Sequence, residues 1–171
     1  AAPRRRSCPM DTTRASTTAA RSEAPDGHQL IAAGLEGHGI THVFAIGGTP
    51  IHETLAACLR HGIRVVGVHN QQAAALMAAS YNYMTGRLSA AVILSAGPAI
   101  ANSVTGLLVA HDNDWPLLVI GGCRPLDMRG GGAFQDLDTV PIVGSITRFA
   151  ARLDRPEEIV PALDRACRIA T

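Results

Sequence analysis

The sequence predicts an α/β domain, a mostly parallel sheet with helices on both faces. Two observations carry that prediction. From residue 27 onward, short and near-continuous apolar runs alternate with segments of helical spacing. Each apolar run then ends in glycine or polar residues, as a strand does when it empties into a crossover helix. A hydrophobic content of 47% against 17% charged residues leaves enough apolar side chains to cover such a sheet twice. No apolar run reaches the roughly 20 residues that a membrane-spanning helix needs.

The elements follow in order. Residues 1–26 are rich in Ala, Arg, Ser and Thr, lack periodicity and read as a disordered tail. The stretch before Met10 reads either as a translated upstream extension or as the start of an organelle transit peptide. The domain spans 27–171. Asp26 is placed to cap a helix in which Leu30, Ile31, Leu35 and Gly39 recur at helical spacing. "THVFAIGG" is a buried strand, and "PIHETLAACLRHG" a helix with Pro50 in its first turn and Gly62 at its end. "IRVVGVH" is a second strand, followed by the helix "QQAAALMAASYNYMTG", closed by Gly86. "SAAVILSAG" and "PAIANSVTGLLVAHDN" repeat the strand–helix unit, and "WPLLVIGGC" is a fourth strand. A glycine-rich loop follows at 124–133, then a fifth strand within "SITRFAARL" and a last helix begun at Pro156. Beyond that helix either the sheet ends or the polypeptide continues.

Composition excludes several chemistries. The net charge is +1, and five of the fifteen basic residues (Arg4, Arg5, Arg6, Arg14 and Arg21) precede the domain. The domain is therefore mildly acidic and has no footprint for nucleic acid. Every basic residue is Arg, so no Schiff-base lysine or P-loop lysine exists here. The cysteines Cys8, Cys58, Cys123 and Cys167 form no C-x-x-C pair and read as buried, reduced thiols of a cytoplasmic protein. Seven scattered histidines show no zinc spacing, and no metal site is expected. Only His52 and His69 fall near the ligand edge of the sheet.

In a sheet of this kind, ligands gather at the carboxyl ends of the strands. Those ends are Gly47–Pro50, His69–Gln72, Ser95–Pro98 and Gly121–Cys123. "AIGGTPIHE" lacks G-x-G-x-x-G, and its glycines serve either a tight turn or close backbone approach to a ligand. "SAGPAIAN" is either a plain strand–helix turn or a helix start with Asn102 one turn inside the mouth. "GGGAFQDLD" suggests a loop over a site. "HNQQ" offers an imidazole and three amides but no carboxylate. Ser95 lacks the G-x-S-x-G context of a nucleophile.

Taken together, "VFAIGGTP", "HNQQAAALMAASYNYMTGR", "AAVILSAGPAIANSVTGLLVAHDNDWPLLVIGG" and "GAFQDLD" resemble, in this order, the amino-terminal pyrimidine-binding domain of thiamine-diphosphate enzymes. The likeness is greatest to the 2-hydroxyacyl-CoA lyase and oxalyl-CoA decarboxylase branch, next to acetolactate synthases. It covers residues 27–171. The resemblance implies an enzyme that cleaves or forms a carbon–carbon bond next to a carbonyl, acting on a 2-oxo acid or an acyl-CoA. It implies thiamine diphosphate as cofactor, with Mg²⁺ and the diphosphate held by another domain or subunit. It also implies a homo- or hetero-oligomer, because the family builds its site between two subunits.

The resemblance carries over residue by residue. Gly48 and Pro50 match the first cofactor-facing turn, and Gly97, Pro98 and Asn102 the third strand end. Phe134 and Gln135 match the loop on the substrate side; His69 has no family role. Gln71 stands where the family has a glutamate that shares a proton with a ring nitrogen of the aminopyrimidine. An amide donates a hydrogen bond there but relays no proton. Three accounts of Gln71 follow: an active enzyme that tolerates the amide, a weakened or non-enzymatic partner subunit, or rescue by another acid, with Glu53 nearest. An unrelated nucleotide-binding α/β module is the remaining alternative.

Overall fold

The computed structural model describes residues 25–132 and 134–171. The expectations for the Arg-rich start and for Cys8 lie outside the described residues. The first helix, α1 (Gly27–Gly37), begins where expected, with the Asp26 carboxylate accepting from the Gln29 N–H at 2.9 Å. β1 (His42–Ala45), α2 (His52–Arg60) and β2 (Arg64–Gly67) follow. α3 (Gln71–Thr85) is capped by Asn70, whose side chain accepts from Ala73 N–H at 3.1 Å. It ends at Gly86, whose φ of 65° is open to glycine without strain. β3 (Ala90–Leu94), α4 (Pro98–Ala101), α5 (Val104–Asp112), β4 (Leu118–Gly121), α6 (Val140–Val143) and α7 (Ile159–Ala170) complete the domain.

The four strands lie in the order β2-β1-β3-β4, and all three pairs are parallel. Side chains alternate across the sheet, as the two-residue period of a strand demands. Val43 and Ala45 of β1, with Ala91 and Ile93 of β3, pack with Leu35, Cys58 and Leu163 from α1, α2 and α7. Ala90, Val92 and Leu94 face the other way, onto Ala74 and Ala78 of α3 and Ile100 of α4. β3 is buried at every position because helices cover both of its faces. Burial of side chains such as Leu35, Ile93 and Leu94 stabilises the fold by about 1.5–3 kcal/mol each.

Four expectations change. The fifth strand within 145–153 does not form. β4 pairs only with β3, and residues 146–155 lie across a cavity of about 540 Å³ lined by Leu118, Ile120, Val143, Phe149, Leu163 and Ala166, among others. A strand needs a hydrogen-bonding neighbour about 4.8 Å away, and that segment has none among the described residues. The single helix expected over 98–113 is two, because the turn breaks at Asn102 and Ser103, where the buried Ser103 hydroxyl donates to Ile100 C=O at 2.7 Å. Pro50 precedes α2 rather than opening it. Cys123 is exposed, whereas Cys58 and Cys167 are buried, and burial pushes each of those two thiols up to about 11. Among the described residues, no helix is long and apolar enough to cross a membrane.

Candidate functional site

The sheet order reverses at β1, since β2 lies on one side of it and β3 on the other. Chains leaving the two neighbouring strands diverge there and open a crevice at their carboxyl ends. A cavity of about 580 Å³ occupies this place. Ile46, Gly47, Gly48 and Thr49 line it from β1, Gln71 from the start of α3, and Ser95, Pro98, Ala99 and Asn102 from the β3 side. Arg124, Phe134 and Gln135 close it from beyond β4.

Local chemistry fixes each wall. Asn70 caps α3, and so Gln71 becomes its first residue with its side chain at the strand end. Gln71 Oε1 accepts from Asn102 Nδ2 at 2.7 Å, which joins the starts of two crossover segments. Ser95 Oγ donates to Thr49 C=O at 2.6 Å and ties the end of β3 to the turn after β1. Gly97 has a φ of 56°, and a Cβ there would meet the Gln135 carbonyl oxygen at 2.7 Å. Only glycine lets the loop rest on that turn. Arg124 Nε donates to Phe134 C=O, and its guanidinium lies 5.9 Å from the Phe134 ring centroid. Phe134 itself is 77% exposed, a large aromatic side chain left at the mouth.

Six of the residues singled out from the sequence meet in this one cavity: Gly48, Gln71, Pro98, Asn102, Phe134 and Gln135. Gly97 stands behind the lining, as the support of Gln135. Pro50 faces away, with its ring 2.8 Å from where a Gly122 side chain would begin. His69 and Glu53 do not line the cavity, and Glu53 is exposed on the first turn of α2. Sequence reasoning passed over Ile46, Ala99 and Arg124 as lining residues. Arg124 was within reach of it, since the expected ligand edge after the fourth strand stopped one residue short, at Cys123. Among the described lining residues there is no carboxylate. Among the described residues no group of His, Cys, Asp or Glu is placed to hold a metal ion.

Residues 25–142 match the family described as thiamine pyrophosphate enzyme, N-terminal TPP binding domain. The chain belongs to that family. This TPP-binding domain is 34% identical to human 2-hydroxyacyl-CoA lyase 1, over 90% of the chain and 26% of the lyase. It is 33% identical to the acetolactate synthase large subunit of Mycobacterium tuberculosis, over 91% of the chain and 28% of the synthase. An Arabidopsis thaliana 2-hydroxyacyl-CoA lyase matches at 33% over 82% of the chain and 24% of its own length. The chain thus spans about a quarter of the length of the curated relatives it matches. An unrelated nucleotide-binding module is set aside by this match.

The donor set of the TPP-binding domain fits an aminopyrimidine. A flat heterocycle needs apolar faces and hydrogen-bonding groups at its edge. Ile46, Pro98, Ala99 and Phe134 offer the first, and the amides of Gln71, Asn102 and Gln135 the second.

Proposed function

We propose that the cavity between β1 and β3 grips the aminopyrimidine of thiamine diphosphate, as one part of an enzyme that makes or breaks a carbon–carbon bond next to a carbonyl. The observation that carries this reading is the convergence of four separate strand-end segments on one cavity at the switch point of the sheet. Its amides are held in place by neighbours yet keep unused donors and acceptors. The reaction class is acyl-CoA lysis, decarboxylation or acetolactate-synthase-like carboligation. The relatives named above support that range.

The division of labour follows from the side chains. Gln71, fixed through Asn102, turns its Nε2 donors toward a ring nitrogen. Gly48 and Gly47 let backbone approach one face of the ring, and Phe134 covers the other. When bound, thiamine diphosphate would supply a nucleophilic carbon that attacks the substrate carbonyl and an electron sink for the pair left by the bond that breaks. A diphosphate-binding domain, in the same or another polypeptide, holds Mg²⁺ and the diphosphate in this reading. The assembly is an oligomer and works in the cytoplasm, consistent with the buried free thiols Cys58 and Cys167.

The test is Gln71→Glu in the protein assembled with its diphosphate-binding part. A carboxyl at this place shares a proton with the ring nitrogen, so the cofactor's acidic proton exchanges faster with solvent, by roughly 10²- to 10⁴-fold. An unchanged exchange rate would show that residue 71 does not face that nitrogen.

A second reading has its own support. With an amide at position 71 and no carboxylate among the described lining residues, the domain binds cofactor but activates it weakly, as a partner subunit that completes another chain's site. Exchange in the unmodified assembly separates the two. An amide-tolerant enzyme exchanges the proton at a rate matching turnover, and a partner subunit does not.

A further inference from the structure

We propose that Arg124 recognises the carboxylate of a small 2-oxo acid at the mouth of the cavity, an assignment that rests on the thiamine-diphosphate reading above. Arg124 is the one charged side chain among the described residues that line the cavity. Without a carboxylate beside it, its charge is uncompensated there and favours an anion.

Most other arginines of this half of the domain are ion-paired; Arg165, which does not line this cavity, lies over the Phe149 ring at 4.8 Å. Arg129 pairs with Asp154, Arg148 with Asp114, Arg152 with Asp138 and Arg155 with Glu158. Arg124 has no carboxylate partner among the described residues. Its Nε is committed to Phe134 C=O, which fixes the plane of the guanidinium beside the aromatic ring. Its own backbone is held as well, because its carbonyl accepts from Arg129 Nε at 3.0 Å. Two terminal nitrogens on a fixed plane, with no protein acceptor among the described residues, match the two oxygens of a carboxylate.

The kind of anion follows from distance along the substrate. A 2-oxo acid carries its carboxylate one bond from the carbonyl that reacts. An acyl-CoA carries its charges at the far end of a long arm. An arginine inside the cavity that holds the pyrimidine therefore meets the first and not the second.

The experiment titrates the chain with pyruvate, with its uncharged methyl ester, with inorganic phosphate and with 4-amino-5-hydroxymethyl-2-methylpyrimidine, following side-chain amide signals by NMR. Pyruvate binds, its ester and phosphate bind at least about tenfold more weakly, and Arg124→Gln weakens pyruvate by about tenfold while leaving the pyrimidine unchanged. Arg148→Gln, at a paired arginine outside the cavity amides, leaves both unchanged. Arg124→Gln binding pyruvate as the unaltered chain does, or ester or phosphate binding as well as the acid, overturns the proposal. Loss of pyrimidine binding in Arg124→Gln also overturns it, because the side chain would then only support the loop. If pyruvate binds through Arg124 and the pyrimidine never binds, the cofactor reading fails and the carboxylate site stands. If neither binds, both fail.

Discussion

The two ends of α3 use amides in opposite ways. Near its last turn, Asn82 is fully buried. Its Nδ2 donates to Ala90 C=O and Pro116 C=O, both at 2.9 Å, and its Oδ1 accepts from Ser89 N–H at 2.9 Å and Ala90 N–H at 2.7 Å. That is the whole hydrogen-bonding capacity of an amide, and all of it goes to the starts of β3 and β4. At the first turn, Gln71 spends one acceptor on Asn102, and its Nε2 has no acceptor among the described residues. The helix runs against the strands, so one amide stands at each end of the sheet. Saturation marks the end that holds the fold together, and spare capacity marks the end proposed to hold a ligand.

The largest expected effect breaks the saturated end. Asn82→Leu leaves two backbone N–H groups and two carbonyls at the strand starts without their side-chain partner, and lowers stability by about 3 kcal/mol or more. Denaturant unfolding measures it; a loss below about 1 kcal/mol would mean that water replaces the amide. The next concerns the core alone. Cys58 and Cys167 keep their protons to about pH 11 in the folded chain, whereas the unfolded chain releases them from about pH 9. Below that window both states bind the same protons and the thiols add nothing to the pH dependence. Within it the unfolded state binds fewer, so stability falls as pH rises, on the order of 2 kcal/mol per thiol at its top. A Cys58→Ala, Cys167→Ala variant should show a flatter profile from pH 9 to 11.

Smaller effects test the unsaturated end. Gly97→Ala forces a side chain into a left-handed backbone and against the Gln135 carbonyl, at a cost of about 1–2 kcal/mol. Its sharper signature is a displaced Phe134–Gln135 loop and weaker pyrimidine binding, seen by NMR titration. Asn102→Ala frees Gln71 to rotate. Stability should change by less than about 0.5 kcal/mol, because the pair is solvent-accessible, while pyrimidine binding weakens severalfold. If Asn102→Ala destabilised as much as Asn82→Leu, the contrast between the two ends would collapse.

A second contrast, between the two cavities, guards against reading volume as function. They are similar in size, at about 540 and 580 Å³. Arg124 and Gln135 border both; the one beside β4 is otherwise walled by apolar side chains such as Leu118, Ile120, Phe149 and Leu163, with the ion-paired Arg129, Arg148, Arg152 and Arg155. The one at the switch point gathers glycines, amides and one arginine.

Much of the fold was legible in the sequence because local rules set it. The Asp26 cap, the Gly86 stop and the apolar runs of β1 to β4 each declare themselves within a few residues. The fifth strand was misread because "SITRFAARL" has the right local pattern, and a strand also needs a neighbour. Gln71 and Asn102, 31 positions apart, were each placed at a strand end by pattern and resemblance. That they bond to each other was not legible, since contacts across the sheet depend on strand order.

The sequence by itself determined the alternation of strands and helices, the absence of lysine chemistry and the amide of Gln71 at the junction of β2 and α3. These are properties of residue type and short-range spacing. Only the tertiary structure decided which strand ends adjoin, that Pro50 turns out of the cavity and Arg124 into it, and that Asn82 is spent while Gln71 is not. Those outcomes depend on how the parallel strands are ordered, and strand order is a long-range property that no local segment encodes.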